Sequence, residues 1–271
     1  MIGPSIPLND RRSIPQLGFG VWQVSPEDVV PTLLQALQIG YRSIDTAALY
    51  GNEEEVGEAI QSSRLPREEI FVTTKVWNDR HGEVRKAFEE SLGKLGLEYV
   101  DLYLIHWPAP SRGRYVEAWK SLIDLQKAGL IRSIGVSNFN PEHIRRIIGE
   151  TGVKPVLNQV ELHPLFPQRE LREFHADNGI VTESWSPLGK GRLRDHPVLT
   201  EIGGRYGKSY AQVILRWQVQ LGIVIIPRTV TLSRIRDNAE IFDFQLGGDD
   251  MAKIATLETG ERLGDDPDKN G

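Results

Sequence analysis

The sequence predicts an α/β fold in which eight parallel strands close into a (β/α)8 TIM barrel. Short apolar runs rich in β-branched residues recur eight times, and segments with helical periodicity lie between them. Nearly continuous apolar strands are typical of a parallel sheet that helices cover. The strands are predicted at Gln16–Gly20, Ser43–Asp45, Ile70–Lys75, Val100–Ile105, Ile131–Val136, Val156–Glu161, Val181–Ser184 and Ile223–Ile226.

Five segments carry the clearest helical pattern. In Glu83–Leu95, apolar side chains recur at three- and four-residue spacing and form one face. Asn140 is the predicted N-cap of a helix whose first residue is Pro141, because proline lacks an N–H that the first turn would leave free. The remaining helices are predicted at Tyr115–Ala128, Pro141–Gly149, Ser209–Gln220 and Leu232–Ile241.

An open, doubly wound sheet is the competing architecture. Such a sheet often binds a dinucleotide through a Gly-x-Gly-x-x-Gly turn after its first strand. Here Gly18 and Gly20 are followed by Trp22 and Gln23, so this motif is absent. The count of eight strand–helix units favours the barrel, and a nicotinamide cofactor would have to be held in another way.

Two segments lie outside the repeating pattern. Ser5–Leu8 and Ser13–Pro15 flank a polar turn, which predicts a β-hairpin that closes the bottom of the barrel, at the N-terminal ends of its strands. The acidic tail, Gly260–Gly271, is expected to be either a short loop that crosses the surface or a frayed end. Residues 1–271 are therefore expected to form a single domain.

Composition narrows the classes of function. The 271 residues carry a net charge of −5 and include no cysteine, which excludes disulfides, thiolate catalysis and cysteine-ligated metals. An acidic chain is a poor ligand for nucleic acid. No apolar run reaches the length of about 18 residues that spans a bilayer, and no secretory signal is visible at the N-terminus. We expect a soluble, cytoplasmic protein with no metal site, no nucleic-acid partner and no membrane partner.

Polar side chains follow the predicted strands at the end where barrel enzymes carry their active sites. Asp45 and Tyr50 follow the second strand, Lys75 and Trp77 the third, and His106 and Trp107 the fourth. Later strands are followed by Ser137 and Asn138, by Gln159 to His163, and by Trp185 and Ser186. These groups are expected to converge on one rim.

Four of these residues form a set that suits carbonyl reduction: Asp45, Tyr50, Lys75 and His106. Hydride transfer to a carbonyl carbon leaves negative charge on oxygen, which must be stabilised and protonated. A lysine beside a tyrosine favours the phenolate, and a carboxylate holds that lysine in place. Each residue has a structural alternative: a capping Asp, a solvated Lys, a Tyr that covers apolar surface, or a core His. Their occurrence on consecutive strand ends favours catalysis.

Five motifs, in order along the chain, resemble those of the aldo-keto reductase family. They are Asp45-Thr46-Ala47-Ala48-Leu49-Tyr50-Gly51-Asn52-Glu53, Thr74-Lys75-Val76-Trp77, Leu102-Tyr103-Leu104-Ile105-His106-Trp107-Pro108, Ile134-Gly135-Val136-Ser137-Asn138-Phe139 and Ile226-Pro227-Arg228-Thr229. The resemblance spans essentially the whole chain. Within the family, the sequence is most similar in appearance to bacterial 2,5-diketo-D-gluconate reductases. It implies an NADPH-dependent oxidoreductase that reduces aldehydes and ketones, with Tyr50 as general acid, Lys75 and Asp45 tuning it, and His106 orienting the carbonyl.

The same resemblance implies the binding residues. Ser137, Asn138 and Gln159 would hold the nicotinamide carboxamide, and Trp185 would stack on the ring. Trp22, Tyr50, Trp77, His106 and Trp107 would surround the substrate carbonyl. The full set implied for the cofactor is Gly20, Val21, Trp22, Asp45, Ser137, Asn138, Gln159, Trp185, Ser186, Pro187, Leu188, Gly189, Ile226, Arg228, Thr229, Val230, Thr231, Arg234, Asp237 and Asn238.

The segment implied for the cofactor's 2′-phosphate departs from the commonest family pattern. Arg228 stands where most relatives have lysine, Thr229 where they have serine, and Thr231 where many have another basic residue. Positive charge remains at Arg228 and Arg234, so NADPH is favoured, with NADH as a weaker alternative. The short tail suggests an open pocket for small carbonyl compounds, α-dicarbonyls or diketo sugars.

Two other functions remain open from sequence. A cofactor-sensing subunit without catalysis occurs in the same family, although the four retained catalytic groups argue against it. An aldolase with Lys75 as Schiff base is a weaker alternative. The chain is expected to act as a monomer on a small-molecule substrate.

Overall fold

A computed structural model describes residues 2–270. A two-stranded antiparallel hairpin comes first, and eight parallel strands then form one sheet in chain order. The hairpin strands are β1 (Ser5–Pro7) and β2 (Ser13–Pro15), and the parallel strands are β3 (Phe19–Gly20), β4 (Ser43–Asp45), β5 (Phe71–Val76), β6 (Val100–Ile105), β7 (Ile131–Ser137), β8 (Leu157–Glu161), β9 (Val181–Trp185) and β10 (Val224–Ile225).

The sheet closes on itself next to its first and last strands. A parallel bridge joins Leu17 to Ile225, and the Gly18 N–H donates to the Ile225 carbonyl at 2.8 Å. This closure confirms the predicted barrel and excludes the open sheet. The eight predicted strands are all present with small shifts at their ends; β9 extends through Trp185, and the first strand is shorter than predicted.

Ten α-helices lie among the described residues, twice as many as the sequence pattern indicated. The five predicted ones are present, and Asn140 and Pro141 begin α5 as expected. Helix α6 escaped prediction because it buries only Leu171 and His175, which is too weak an apolar pattern to recognise. The helices are α1 (Pro26–Ile39), α2 (Glu53–Ser62), α3 (Val84–Leu95), α4 (Tyr115–Lys127), α5 (Pro141–Thr151), α6 (Arg169–Asn178), α7 (Pro197–Tyr206), α8 (Tyr210–Gln220), α9 (Leu232–Ala239) and α10 (Gly248–Ala255).

The hairpin closes the bottom of the barrel, as predicted. Leu8 and Ile14 pack in one apolar cluster with barrel residues that include Leu102 and Leu104. The Asn9 amide donates to the Pro155 carbonyl at 2.9 Å, just before β8. Because this lower layer is apolar and closed, polar chemistry is confined to the opposite end of the strands.

The C-terminal tail crosses the upper rim instead of fraying. Glu161, at the end of β8, accepts hydrogen bonds from the N–H groups of Leu263 at 2.6 Å and Gly264 at 2.9 Å. Lys190 donates to the Leu263 carbonyl at 2.9 Å. The tail therefore forms one wall of the space above the barrel. Gly271, its last residue, lies outside the described residues.

Within residues 2–270, no helix has the length and apolar character needed to cross a membrane. The same part of the chain contains no group of three or more His, Asp or Glu side chains arranged to hold a metal ion.

Candidate active site

A buried ion pair lies at the centre of the upper barrel. Lys75 of β5 is fully buried, and its ammonium contacts Asp45 of β4 at 2.7 and 2.9 Å. The same ammonium donates to the Thr46 carbonyl at 2.8 Å and lies 3.4 Å from the Tyr50 hydroxyl. Because β4 and β5 are adjacent parallel strands, their ends bring these groups together. Three of the four predicted catalytic residues thus form one contact network.

Burial sets the ionisation of this network. Burial disfavours the charged form of Lys75, yet Asp45 and Tyr50 outweigh it and raise the pKa of the ammonium. For Tyr50, burial raises the pKa to about 12, although Lys75 alone acts to lower it. The predicted effect of Lys75, which favours the phenolate, is therefore present, but burial outweighs it in the pKa of Tyr50. Tyr50 carries its proton throughout the neutral range, as an acid requires.

His106, at the end of β6, completes the predicted set. Its ring packs edge-on against Tyr50 and Trp77, with ring centroids 5.7 and 5.1 Å away. Burial first, and then the charge of Lys75, hold the pKa of His106 well below 6.5, so the imidazole is neutral. Nδ1 has no partner among the described residues. A proton on Nδ1 would be a buried N–H with no acceptor, so the neutral ring is assigned its proton on Nε2.

Amide groups line the next part of the rim. Asn138, in the left-handed backbone region at φ 61°, donates to the His106 carbonyl at 3.0 Å. Its side-chain oxygen accepts from the Trp185 indole N–H at 2.8 Å. Gln159 donates from Nε2 to Asp45 at 2.7 Å. Ser137 donates to the Gln159 carbonyl at 2.8 Å, so these groups are held firmly in place.

A cleft begins over Tyr50 and runs outward along the rim. Its main cavity has a volume of about 660 Å³ and joins a second of about 330 Å³. Arg194, Arg228 and Arg234 line both cavities, together with Leu188 and Tyr210. The second cavity also carries two carboxyl groups, Asp195 and Asp237. The cleft is therefore aromatic and neutral at one end and rich in arginine at the other.

Most of the predicted binding residues line this cleft, and some do not. Trp77 packs on His106 instead of lining the cavity. Val21 is fully buried, whereas Val230 is 51% exposed on the outer surface. The predicted cofactor residues outside both cavity linings are Val21, Gly189, Val230 and Thr231.

Sequence reasoning missed several residues that the structure brings to this site, among them Glu183, Arg194 and Lys190. Glu183, in the middle of β9, accepts a hydrogen bond from Gln159 at 2.9 Å. Arg194 and Lys190 reach the cleft from the loop after β9. A signal for Glu183 was present, since a charge two residues before Trp185 lies on the same face of the strand. The arginine and lysine had no such signal, because loop conformation decides where they point.

Fold and site together define a barrel with a buried Lys–Asp pair, a protonated tyrosine and a neutral histidine at the floor of an elongated cleft. Comparison with known proteins agrees with this class. A sequence model of the Aldo/keto reductase family matches residues 16–259. The chain belongs to this family.

Individual relatives cover nearly the full length. Methylglyoxal reductase DkgA of Escherichia coli strain K12 is 53% identical over 98% of both chains. An aldo/keto reductase structure from Brucella melitensis is 50% identical, with a TM-score of 0.92 over 95% of this chain and all of that one. A mutant of Gox0644, solved in complex with NADPH, is 44% identical with a TM-score of 0.95 over 99% of both chains.

Proposed function

We propose that this protein reduces small aldehydes and α-dicarbonyls, methylglyoxal among them, with Tyr50 as the proton donor. The protein is an NADPH-dependent oxidoreductase that converts carbonyl compounds to alcohols. The observation that carries the role of Tyr50 is its protonated hydroxyl 3.4 Å from the Lys75 ammonium, beside the neutral ring of His106.

NADPH, when bound, supplies the hydride that forms the new C–H bond. The remaining chemistry belongs to this chain. His106 donates a hydrogen bond from Nε2 to the carbonyl oxygen and so orients and polarises it. Tyr50 then gives its proton to the same oxygen, and Lys75 stabilises the phenolate that remains. Asp45 holds Lys75 charged and in place. The hydride and the proton together account for the two hydrogens that the carbonyl group gains when it becomes an alcohol.

The cleft suits an NADPH molecule along its length. The amide groups of Asn138 and Gln159 and the indole of Trp185 lie at the end near Tyr50, where a nicotinamide would be held. Arg228 and Arg234 lie at the other end, where they would bind the 2′-phosphate. We propose that Arg194 adds a third cation there. It would replace the basic side chain that many relatives carry at the position of Thr231.

The substrate end favours small, weakly polar carbonyl compounds. Trp22, Leu49 and Trp107 form an apolar mouth beside Tyr50 and His106. DkgA, at 53% identity, is named a methylglyoxal reductase. A small α-dicarbonyl such as methylglyoxal suits a pocket that the tail closes on one side. We propose diketo sugars as larger substrates that would extend toward the solvent-exposed Trp22.

The aldolase alternative loses support from the geometry. A Schiff base requires a neutral lysine, whereas Lys75 donates to Asp45 and Thr46 and has a raised pKa. The other alternative, a subunit that senses the cofactor without turnover, predicts NADPH binding and no reduction.

We further propose that the protein acts as a monomer in the cytoplasm, without nucleic-acid partners. Its site is complete within one chain, and a reductase that consumes NADPH is expected where that cofactor is regenerated. The net charge of −5 is unfavourable for binding phosphate backbones.

Steady-state assays of a carbonyl panel, run in parallel with NADPH and NADH, test the proposal. Methylglyoxal, an aromatic aldehyde and 2,5-diketo-D-gluconate cover the three substrate classes. We expect turnover of methylglyoxal with NADPH and a higher kcat/KM than with NADH. NADPH binding without oxidation by any carbonyl compound would instead support the sensing subunit.

A further inference from the structure

Glu183 is a buried carboxyl that the reaction described above does not use. It lies in the middle of β9 with 1% of its surface exposed, and it pairs in register with Gln159 of β8 and Val224 of β10. A carboxylate without a cation of its own is costly in such a position. Its presence inside the barrel is therefore explained if the carboxyl is protonated or if it has a functional role.

Gln159 connects Glu183 to the catalytic ion pair. Its Nε2 donates to Asp45 Oδ2 at 2.7 Å and to Glu183 Oε2 at 2.9 Å. An amide nitrogen has two protons, so both are used by these two carboxyl groups. The two acceptors thus determine which way the amide faces and leave its oxygen as the atom available to a bound molecule.

The charges in this cluster balance only if Glu183 is neutral. Lys75 is the cation of the cluster, and it contacts both oxygens of Asp45. A charged Glu183 would add a second negative charge to the same cation, away from water. Burial, and next the charge of Asp45, raise the pKa of Glu183 to about 8. At neutral pH the carboxyl therefore holds its proton.

The groups that face Glu183 come from several strands. Asp45 of β4 raises its pKa, and Lys75 of β5 lowers it. On either side of it, β8 presents the neutral amide of Gln159 and β10 presents Val224. In return, a negative Glu183 raises the pKa of Tyr50. Ionisation of Glu183 therefore makes Tyr50 a weaker acid and destabilises its phenolate.

We propose that Glu183 is a positioning residue that acts as a neutral acid: it holds Gln159 against Asp45, and its ionisation sets the alkaline limit of carbonyl reduction. The inference rests on the proposed role of Tyr50 as proton donor. The pKa values of Tyr50 and Lys75 are raised from already high values, and that of His106 lies well below 6.5. A fall in the rate of carbonyl reduction near pH 8 therefore cannot come from the titration of Tyr50, Lys75 or His106.

The first test is the pH profile of kcat/KM for methylglyoxal with NADPH, measured in the wild type and in Glu183→Gln. Glutamine reproduces the shape of the neutral acid and cannot ionise. In the wild type, kcat/KM should fall as the pH rises through about 8 and level off once Glu183 is ionised. In the variant it should match the wild type at pH 7 within about threefold and stay level over the same range.

Glu53→Gln is the matched control. Glu53 is also buried, with its pKa raised by burial, but it lies on α2 and accepts from the Thr74 hydroxyl at 2.6 Å outside the catalytic cluster. Its variant should retain the alkaline limit of the wild type. A Glu183→Gln enzyme with the same alkaline limit as the wild type would overturn the proposal, and so would one that is folded yet inactive at pH 7.

A second measurement needs no variant and no turnover. The 13C shift of the Glu183 carboxyl, followed by NMR in the wild-type protein, should titrate near pH 8. Titration in the ordinary range of a glutamate, near pH 4.5, would show a charged carboxyl and overturn the proposal even if Glu183→Gln does not fold. A wild type that reduces no carbonyl would overturn the proposed function, and the kinetic part with it. A carboxyl titration near pH 8 would still support the neutral acid.

Discussion

The Lys75 ammonium lies 3.4 Å from the Tyr50 hydroxyl and 5.0 Å from the centre of its ring, so it acts on the hydroxyl and on the π face together. This contact stabilises the phenolate more than the neutral phenol. Burial opposes it and keeps Tyr50 protonated until a carbonyl oxygen accepts the proton. Tyr50 therefore keeps its proton in the resting protein, and Lys75 stabilises the phenolate that forms when the proton is transferred.

Tyr50→Phe should lower kcat by about 10²- to 10⁴-fold, because it removes the proton donor while the ring and its packing remain. The dissociation constant of NADPH, measured by quenching of tryptophan fluorescence, should stay within about threefold of the wild type. Tyr99→Phe is the control, since Tyr99 packs on Arg67 and Arg132 away from the cleft. Wild-type rates in Tyr50→Phe would remove Tyr50 from the mechanism.

Arg194→Ala should weaken NADPH binding and leave NADH binding unchanged. A charge-assisted hydrogen bond to phosphate contributes about 1.5–3 kcal/mol, which corresponds to a rise in Kd of roughly tenfold to a hundredfold. Calorimetric titration with both cofactors gives the comparison. Arg192→Ala is a close control, because Arg192 pairs with Glu261 at 3.5 Å on the surface. Equal losses for NADPH and NADH in Arg194→Ala would show that this arginine does not bind the 2′-phosphate.

His81→Leu should make the protein less sensitive to acid. Burial, with smaller effects of Arg112 and Arg114, lowers the pKa of His81 to about 4. Below pH 6.5 the unfolded chain binds a proton at this histidine that the folded chain excludes, so the free energy of unfolding falls as pH decreases toward 4. The slope from this residue is about 1.4 kcal/mol per pH unit.

Urea unfolding of wild type and His81→Leu, at several pH values between 4 and 6.5, tests this window. Both ring nitrogens of His81 lack a partner among residues 2–270, so leucine breaks no hydrogen bond of the described structure. Near pH 7 the two proteins should have similar stability. The expectation fails if the variant loses stability with acid as steeply as the wild type.

Gly264→Ala should loosen the tail from the cleft. A Cβ at this position would collide with the Trp185 ring and crowd the Glu161 carboxylate. The displaced tail should raise KM for methylglyoxal several-fold and leave kcat nearly unchanged, because it forms a wall and takes no part in proton transfer. Gly204→Ala, with open space at its Cβ in α7, is the control. An unchanged KM would show that the wall does not contact the substrate.

Sequence reasoning succeeded where a pattern is local. The eight strands, the hairpin and the N-cap at Asn140 all follow from periodicity and backbone preference over a few residues. It failed for α6, whose buried face consists of one leucine and one histidine. It also missed Glu183: alternation along β9 places that carboxyl on the same face as Trp185, but nothing in the order of residues says that it shares an amide with Asp45 of β4.

By itself, then, the sequence determined the barrel and the four residues at its rim. Parallel strands bring their C-terminal ends to the same edge of the sheet, whatever path the loops between them take. Only the tertiary structure decided the closure between Leu17 and Ile225, the path of the tail over Glu161 and the ionisation of the cluster. Those depend on distances across the barrel and on exclusion of water. A carboxyl that holds its proton at neutral pH is a property of its surroundings, and no single strand of this chain contains them.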